Sequence, residues 1–328
     1  MSGSRPIGII GGGAWGTALA QVLASGGSDV LLWARDAAVV RAINGAHENP
    51  DYLPGQALSP LIRATYDPSL LQEARALLVV TPAQHMRGVL GRFTPQGQPL
   101  ILCAKGIEAH TRKLMHQVAG EAMPGSPIAV LSGPTFAHEV AAGLPTAVTL
   151  AAHDEAMATT LAAMIARPTF RPYVSDDVTG AEIGGAVKNV LAIACGVVAG
   201  AGLGENARAA LIARGFAEMT RFGLALGGRA ETLAGLSGLG DLVLTCSSTS
   251  SRNFSLGQGL GAGRTAAELL GDRRTVAEGA FTAPVLHEAA RARGVEMPVT
   301  AAVCALLTGE STVPDVIGAL LARPLRAE

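Results

Sequence analysis

The N-terminal half of the chain contains short, uninterrupted apolar runs: residues 6–11 (PIGIIG), 29–34 (DVLLWA), 76–83 (ALLVVTPA), 99–106 (PLILCAKG) and 128–134 (IAVLSGP). Strands that expose one face to water alternate polar and apolar residues. Runs with no alternation are buried on both faces and indicate a parallel sheet covered by helices. Residues 145–152 and 169–177 extend the same pattern. Residues 14–27 carry the helical pattern that follows the first run, and glycine ends it. Beyond residue 177 the strand signals stop. Helical patterns cover 180–201, 205–226, 265–270, 282–293 and 298–308, joined by glycine-rich connections. The expected organisation is an α/β sheet domain over 1–177 and an all-α domain over 178–328, with 247–253 and 259–263 as loops.

The first run leads into Gly11-x-Gly13-x-x-Gly16 at the start of the first helix. In this strand–turn–helix setting each glycine has a task. Gly11 makes the tight turn, Gly13 lets backbone approach a pyrophosphate, and Gly16 lets helix and strand pack closely. The helix N-terminus then offers N–H groups to an anion. The setting reads as a Rossmann-type, mostly parallel sheet that binds a dinucleotide. Trp15 packs at the helix start or covers the pyrophosphate. The second run ends Arg35–Asp36. An acid near this position suits ribose hydroxyls and an arginine suits a 2′-phosphate. The order favours NADPH and leaves NADH open.

Ligands of open α/β sheets lie beyond the carboxyl ends of the strands. Lys105 ends one apolar run there, and Gly133 and Thr135 follow another. The most demanding segment is 180–202 (GAEIGGAVKNVLAIACGVVAGAG), which places Lys188 and Asn189 inside an almost wholly apolar helix. It approaches membrane-spanning length. It also contains Glu182 and, between Gly180 and Gly200, five glycines, and it lacks aromatic anchors and basic flanks. A buried helix with close backbone packing fits better. Desolvation lowers the pKa of a lysine on such a helix, which suits it to proton transfer near neutral pH; a lysine that reaches the surface is the alternative. Asp241, after a glycine-rich turn, is placed to pair with a site lysine. Ser251, Arg252 and Asn253 form a polar stretch suited to a phosphate. Glu278 offers hydrogen-bond acceptors for the nicotinamide end of a cofactor.

Lys and Arg number 25 against 26 Asp and Glu, so no global basicity points to nucleic acid or acidic lipid. Four scattered cysteines form no CxxC pair, and the histidines lack metal-ligand spacing. A reduced, cytoplasmic protein without structural metal, disulfides or integral membrane association is expected. No signal peptide is evident at its N-terminus.

Taken together, GGGAWGTALA, VLLWARD, CAKGIE, LSGPTFAHEVAAGLPTA, AVKNVLAIACG, LSGLGDLVLTC, SSRNFSLG and VAEG resemble the bacterial-type NAD(P)-dependent glycerol-3-phosphate dehydrogenases. The resemblance covers essentially the whole chain, and the blocks after the dinucleotide motif carry its specificity. It implies reversible reduction of dihydroxyacetone phosphate to sn-glycerol 3-phosphate, feeding phospholipid synthesis. It marks Lys188 as the proton acceptor, with Asn189 and Asp241 holding it, and Lys105 in contact with cofactor and substrate. Gly133, Thr135, Asp241, Ser251, Arg252 and Asn253 would line the small phosphorylated substrate. Gly11, Gly13, Ala14, Trp15, Gly16, Arg35, Ala137, Arg252, Val276 and Glu278 would meet the cofactor. Relatives often carry Ser where this chain has Ala14, which removes a hydroxyl and leaves the backbone donors. A homodimer is compatible with the resemblance. The competing readings are a two-domain dehydrogenase of β-hydroxyacids or a ketopantoate-like substrate, and a non-catalytic NAD(P)H sensor. The sensor reading leaves Lys105, Lys188 and Asp241 unexplained.

Overall fold

The computed structural model describes residues 5–271 and 277–322. Eight strands form one sheet: β1 (Ile7–Ile10), β2 (Val30–Trp33), β3 (Ile62–Thr65), β4 (Leu77–Val79), β5 (Leu100–Leu102), β6 (Ile128–Ser132), β7 (Thr146–Ala151) and β8 (Phe170–Ser175). Their spatial order is β3-β2-β1-β4-β5-β6-β7-β8. Neighbours run parallel except β6 and β7, which are antiparallel. The order reverses between β1 and β4, which makes the carboxyl ends of these strands the topological switch point.

Helices α1 (Ala14–Ser25), α2 (Ala37–Ala46), α3 (Met86–Leu90), α4 (Met115–Ala122), α5 (Ala137–Ala141) and α6 (Glu155–Ile165) lie between the strands in sequence. Two apolar clusters sit against the sheet. One is built on Ile7, Ile9, Leu19, Leu23 and Leu32, and the other on Ile10, Leu77, Val79, Leu100 and Leu102. Alternate residues of β1 enter different clusters, as expected for a strand buried on both faces. Arg167 ties the end of α1 to α6. Its guanidinium donates to the carbonyls of Val22, Leu23, Met164 and Ala166, the carbonyls a helix C-terminus leaves open.

The remaining helices are α7 (Val178–Gly200), α8 (Gly204–Ala225), α9 (Ala230–Ala234), α10 (Asp241–Cys246), α11 (Arg252–Gly261), α12 (Ala266–Leu270), α13 (Glu278–Arg291), α14 (Pro298–Thr308) and α15 (Val313–Leu321). A π-helical turn, Leu236–Gly240, joins α9 to α10. The chain divides into two compact units: 1–108 with 113–182, and 109–112 with 183–328. The change of unit falls inside α7, between Glu182 and Ile183.

Two features depart from the sequence expectations. β3 was not expected, because it is a short edge strand with Arg63 exposed on it. Residues 252–253 and 259–261 are helical rather than loop, because Ser251 caps α11 by accepting from the Phe254 N–H at 3.2 Å. The glycines there serve packing. A Cβ on Gly257 would lie 2.0 Å from the Ile193 carbonyl oxygen, and one on Gly261 would lie 2.3 Å from that of Val197. Across the seam, a Cβ on Gly196 would lie 2.1 Å from the Phe254 oxygen and one on Gly200 2.2 Å from that of Gln258. Glycines four apart on both helices thus bring α7 and α11 into backbone contact. α7 is long and apolar enough to cross a membrane, but 83% of its most apolar window is buried inside the protein, so it is a core helix.

At the root of α7, Glu182 accepts from the His116 N–H at 2.7 Å and lies 2.6 Å from His116 Nδ1. Burial opposes the imidazolium, but the Glu182 hydrogen bond and charge outweigh it, so His116 titrates above its usual value. The stability this pair contributes is fully present below about pH 6.5 and is lost as pH rises through the raised value. The difference in unfolding free energy between wild type and Glu182→Gln should shrink over that window, measured by urea denaturation. Gly257→Ala should destabilise by about 1–3 kcal/mol or more. Gly318→Ala in α15, where a Cβ meets nothing within 4 Å, should be neutral or stabilising by up to about 1 kcal/mol. Thermal melts of the two variants check the contrast.

Candidate active site

At the switch point Gly11 has φ +129°, and a Cβ there would lie 2.4 Å from the Val80 carbonyl oxygen at the end of β4. A Cβ on Gly16 would lie 1.9 Å from the Gly11 oxygen. These two glycines are required by the protein's own packing. Gly13 is different. Its φ is −76°, and a Cβ would meet nothing within 4 Å among the described residues, so none of them demands glycine there. Gly13 is the N-cap of α1 with no side-chain capping bond, and Ala14 begins the helix. An open approach, uncapped N–H groups and the positive end of α1 fit a pyrophosphate. Trp15 packs partly buried against the first apolar cluster.

Arg35 is exposed just past β2. Asp36 caps α2, accepting from the Ala38 N–H at 2.8 Å. The acid of the Arg35–Asp36 pair therefore has a structural task, and Arg35 is the member of the pair with a side chain suited to an incoming phosphate.

Lys105 follows β5. Its Nζ donates to the Gly133 carbonyl at 3.0 Å, which ties the end of β5 to the end of β6. Gly133 has φ +147° and packs on Val148. The Thr135 hydroxyl also donates to the Gly133 carbonyl, at 3.4 Å. Ala137 is the first residue of α5. Burial pushes the Cys103 thiol up to about 12, against the lowering influence of Lys105, so this cysteine is an inert core residue.

In the second unit, Lys188 Nζ donates to Asp241 Oδ1 at 2.7 Å and to Thr245 Oγ1 at 2.9 Å. The lysine side chain is 9% exposed and that of Asp241 is 0% exposed. This ion pair supplies the compensation that a buried ammonium requires. The alternative of a lysine that reaches the surface is excluded. Delivery of Asp241 depends on close packing: a Cβ on Gly184, one turn before Lys188, would lie 2.3 Å from the Ser237 carbonyl oxygen. The π-helical turn therefore lies against α7 and starts α10 at Asp241. Thr245, one turn on, reaches the same ammonium.

Asn189, next to Lys188, accepts from Asn253 Nδ2 at 3.0 Å, and Asn253 Oδ1 accepts from the Gly279 N–H at 2.9 Å. Both asparagines are buried. A Cβ on Gly279 would lie 2.5 Å from the Asn189 carbonyl oxygen. Asn253 thus clasps α7 to the first turn of α13, where Glu278 is half-buried. Arg252 is exposed in the first turn of α11, beside the buried cap Ser251. Val276 lies outside the described residues.

Within the first unit, the structure gathers Gly11, Gly13, Ala14, Trp15 and Gly16 at one turn, and Lys105, Gly133 and Thr135 at neighbouring strand ends. Within the second it gathers Lys188 with Asp241, and Asn189 with Asn253. Sequence reasoning missed Thr245, whose signal was its position four residues after Asp241. It also missed His116, which meets Glu182 from 66 residues away with no local signal.

The sequence matches two family models. One is described as NAD-dependent glycerol-3-phosphate dehydrogenase N-terminus, over residues 6–158, and the other as its C-terminus, over residues 177–318. A curated relative from Sphingopyxis alaskensis, named glycerol-3-phosphate dehydrogenase [NAD(P)+] 1, is 63% identical over 100% of this chain and 99% of its own. A crystal structure of glycerol-3-phosphate dehydrogenase from Coxiella burnetii superposes with a TM-score of 0.93 at 38% identity, covering 98% of this chain and 99% of that one. A ketopantoate reductase structure from Ralstonia eutropha shares the fold alone, with a TM-score of 0.62 at 18% identity over 93% of this chain and 97% of that one. The chain belongs to the NAD-dependent glycerol-3-phosphate dehydrogenase family.

Proposed function

We propose that this chain catalyses the reversible reduction of dihydroxyacetone phosphate to sn-glycerol 3-phosphate with NADH or NADPH, supplying phospholipid synthesis, and that Lys188 handles the proton. The observation that carries the assignment to Lys188 is its buried pair with Asp241, at 2.7 Å. When bound, a reduced nicotinamide would supply the hydride that the central carbon of the ketone accepts.

Negative charge then develops on the carbonyl oxygen. Lys188 gives that oxygen a proton, and in the oxidative direction it takes the proton back. Asp241 and Thr245 fix the ammonium so that it needs no reorganisation as charge develops. Asn189 acts through the Asn253 clasp to hold the lysine's own turn of α7. Lys105, oriented by the Gly133 carbonyl, adds positive charge to the developing alkoxide, and Thr135 lines the substrate beside it. Arg252 carries most of the phosphate recognition, helped by the Ser251 and Asn253 segment. A ketone lacking phosphate leaves that guanidinium unmatched and is a poor substrate.

Gly11 to Gly16 hold the pyrophosphate. Arg35 meets the 2′-phosphate and favours NADPH, because Asp36 is occupied as a helix cap. Ala137, Arg252 and Glu278 complete the cofactor's contacts. The enzyme works in the cytoplasm without spanning a membrane. A homodimer would bury exposed apolar side chains of the helical unit such as Leu203 and Leu224; light scattering checks it.

Oxidation of NADPH followed at 340 nm should depend on dihydroxyacetone phosphate and not proceed with dihydroxyacetone. Turnover of both, or of neither, refutes the reading. Lys188→Ala should lose most of kcat, by at least about 100-fold, with cofactor affinity nearly unchanged. Arg35→Ala should raise the KM for NADPH well above that for NADH.

The pair also has a structural cost that separates stability from catalysis. Asp241→Ala removes the carboxylate that lies 2.7 Å from a buried ammonium and should destabilise by about 3–5 kcal/mol. Lys188→Met with Asp241→Leu should recover much of that stability and remain inactive. Chemical denaturation alongside the rate assay checks both.

A further inference from the structure

We propose that Asn49 is a positioning residue for the nucleotide loop: its side-chain amide holds the Gly12 carbonyl inward and thereby aims the Gly13 N–H at the pyrophosphate. The inference rests on the nucleotide-binding role of the Gly11–Gly16 turn and adds a residue from outside that motif.

Asn49 is 0% exposed. Its Nδ2 donates to the Gly12 carbonyl at 2.9 Å and to the Thr17 hydroxyl at 2.8 Å. A carbonyl oxygen can only accept, so the amide nitrogen must face Gly12. Asn49 Oδ1 is buried with no hydrogen-bond partner among the described residues, so the amide's orientation is set by its NH2 side alone.

The chain delivers this group rigidly. The Asn49 carbonyl accepts from the N–H groups of Leu53 at 2.8 Å and Tyr52 at 3.3 Å, which closes a turn through Pro50. Asn49 therefore bridges a turn between α2 and β3 to both the loop and the first turns of α1.

The consequence follows from peptide geometry. No peptide bond in the described chain is cis. In a planar trans peptide the carbonyl and the next N–H point in opposite directions. Fixing the Gly12 carbonyl toward Asn49 turns the Gly13 N–H away from the protein. That N–H belongs to the one loop glycine for which packing among the described residues gives no reason. A second constraint fixes the same peptide: a Cβ on Gly12 would lie 2.6 Å from the Ala34 side chain, so the loop cannot roll toward β2. Asn49 supplies preorganisation, in that the donor points outward before the anion arrives.

The test is calorimetric titration of the ligand-free full-length protein. The probes are NADP+ and adenosine 2′-monophosphate, which keeps the 2′-phosphate and lacks the pyrophosphate. Asn49→Leu keeps the volume and removes the donor. It should raise the Kd for NADP+ roughly tenfold or more, the worth of one hydrogen bond to a charged group, and leave that for adenosine 2′-monophosphate unchanged. Thr17→Val removes the other partner of the same NH2 without releasing Gly12, and should leave the NADP+ Kd within about twofold. If Asn49→Leu does not fold, Asn49→Ser, which is too short to reach Gly12, should show the same selective loss. An unchanged NADP+ Kd, an equal loss for both probes, or an equal loss in Thr17→Val would overturn the proposal. Failure of the wild type to bind NADP+ would instead count against the nucleotide-binding reading itself.

Discussion

A buried ammonium against a buried carboxylate sets the terms for the helical unit. Lys188 and Asp241 lie 2.7 Å apart with almost no solvent, and either alone would be intolerable there. The helical unit therefore has to bring α10 to α7 within hydrogen-bond distance, and it does so by removing side chains. Gly184 admits the π-helical turn that starts α10. Gly196 and Gly200 admit α11, which answers with Gly257 and Gly261. The low polarity of α7 is the other side of the same arrangement. A dry helix makes the pair strong, and the pair makes the lysine tolerable in a dry helix. A cation held this way is preoriented for charge developing on a substrate oxygen.

The sheet unit uses the same economy of side chains for a different end. Gly11 and Gly16 are glycine because backbone atoms of the protein itself crowd them, whereas Gly13 is open. Packing therefore distinguishes a position left open from those that shape the turn. Lys105 is held at the same strand edge by the Gly133 carbonyl.

The long apolar runs made the central strands legible, and the run at 180–202 made α7 and its lysine legible, because sheet and helix periodicities leave strong local patterns. β3 left little signal, since an edge strand of four residues carries an exposed Arg63. α11 was misread because its glycines look like loop punctuation until the neighbouring backbone is seen. The pairing of Lys188 with Asp241 could be anticipated from residue types and from the family resemblance. The joint hold of Thr245 on the same ammonium needed the helical spacing of a segment whose start, a π-helical turn, has no sequence signature. The Asn253 clasp on Asn189, the His116–Glu182 pair and the Asn49 bridge join residues 26 to 66 apart in sequence, and no local pattern reports contacts of that kind.

The most direct measurement is a crystal structure of the enzyme with an oxidised nicotinamide dinucleotide and dihydroxyacetone phosphate, a pair that cannot react. Lys188 Nζ should lie within about 3 Å of the ketone oxygen while still bonded to Asp241. A ketone oxygen bound by another donor, with Lys188 several ångströms away and turned from it, would contradict proton transfer by Lys188.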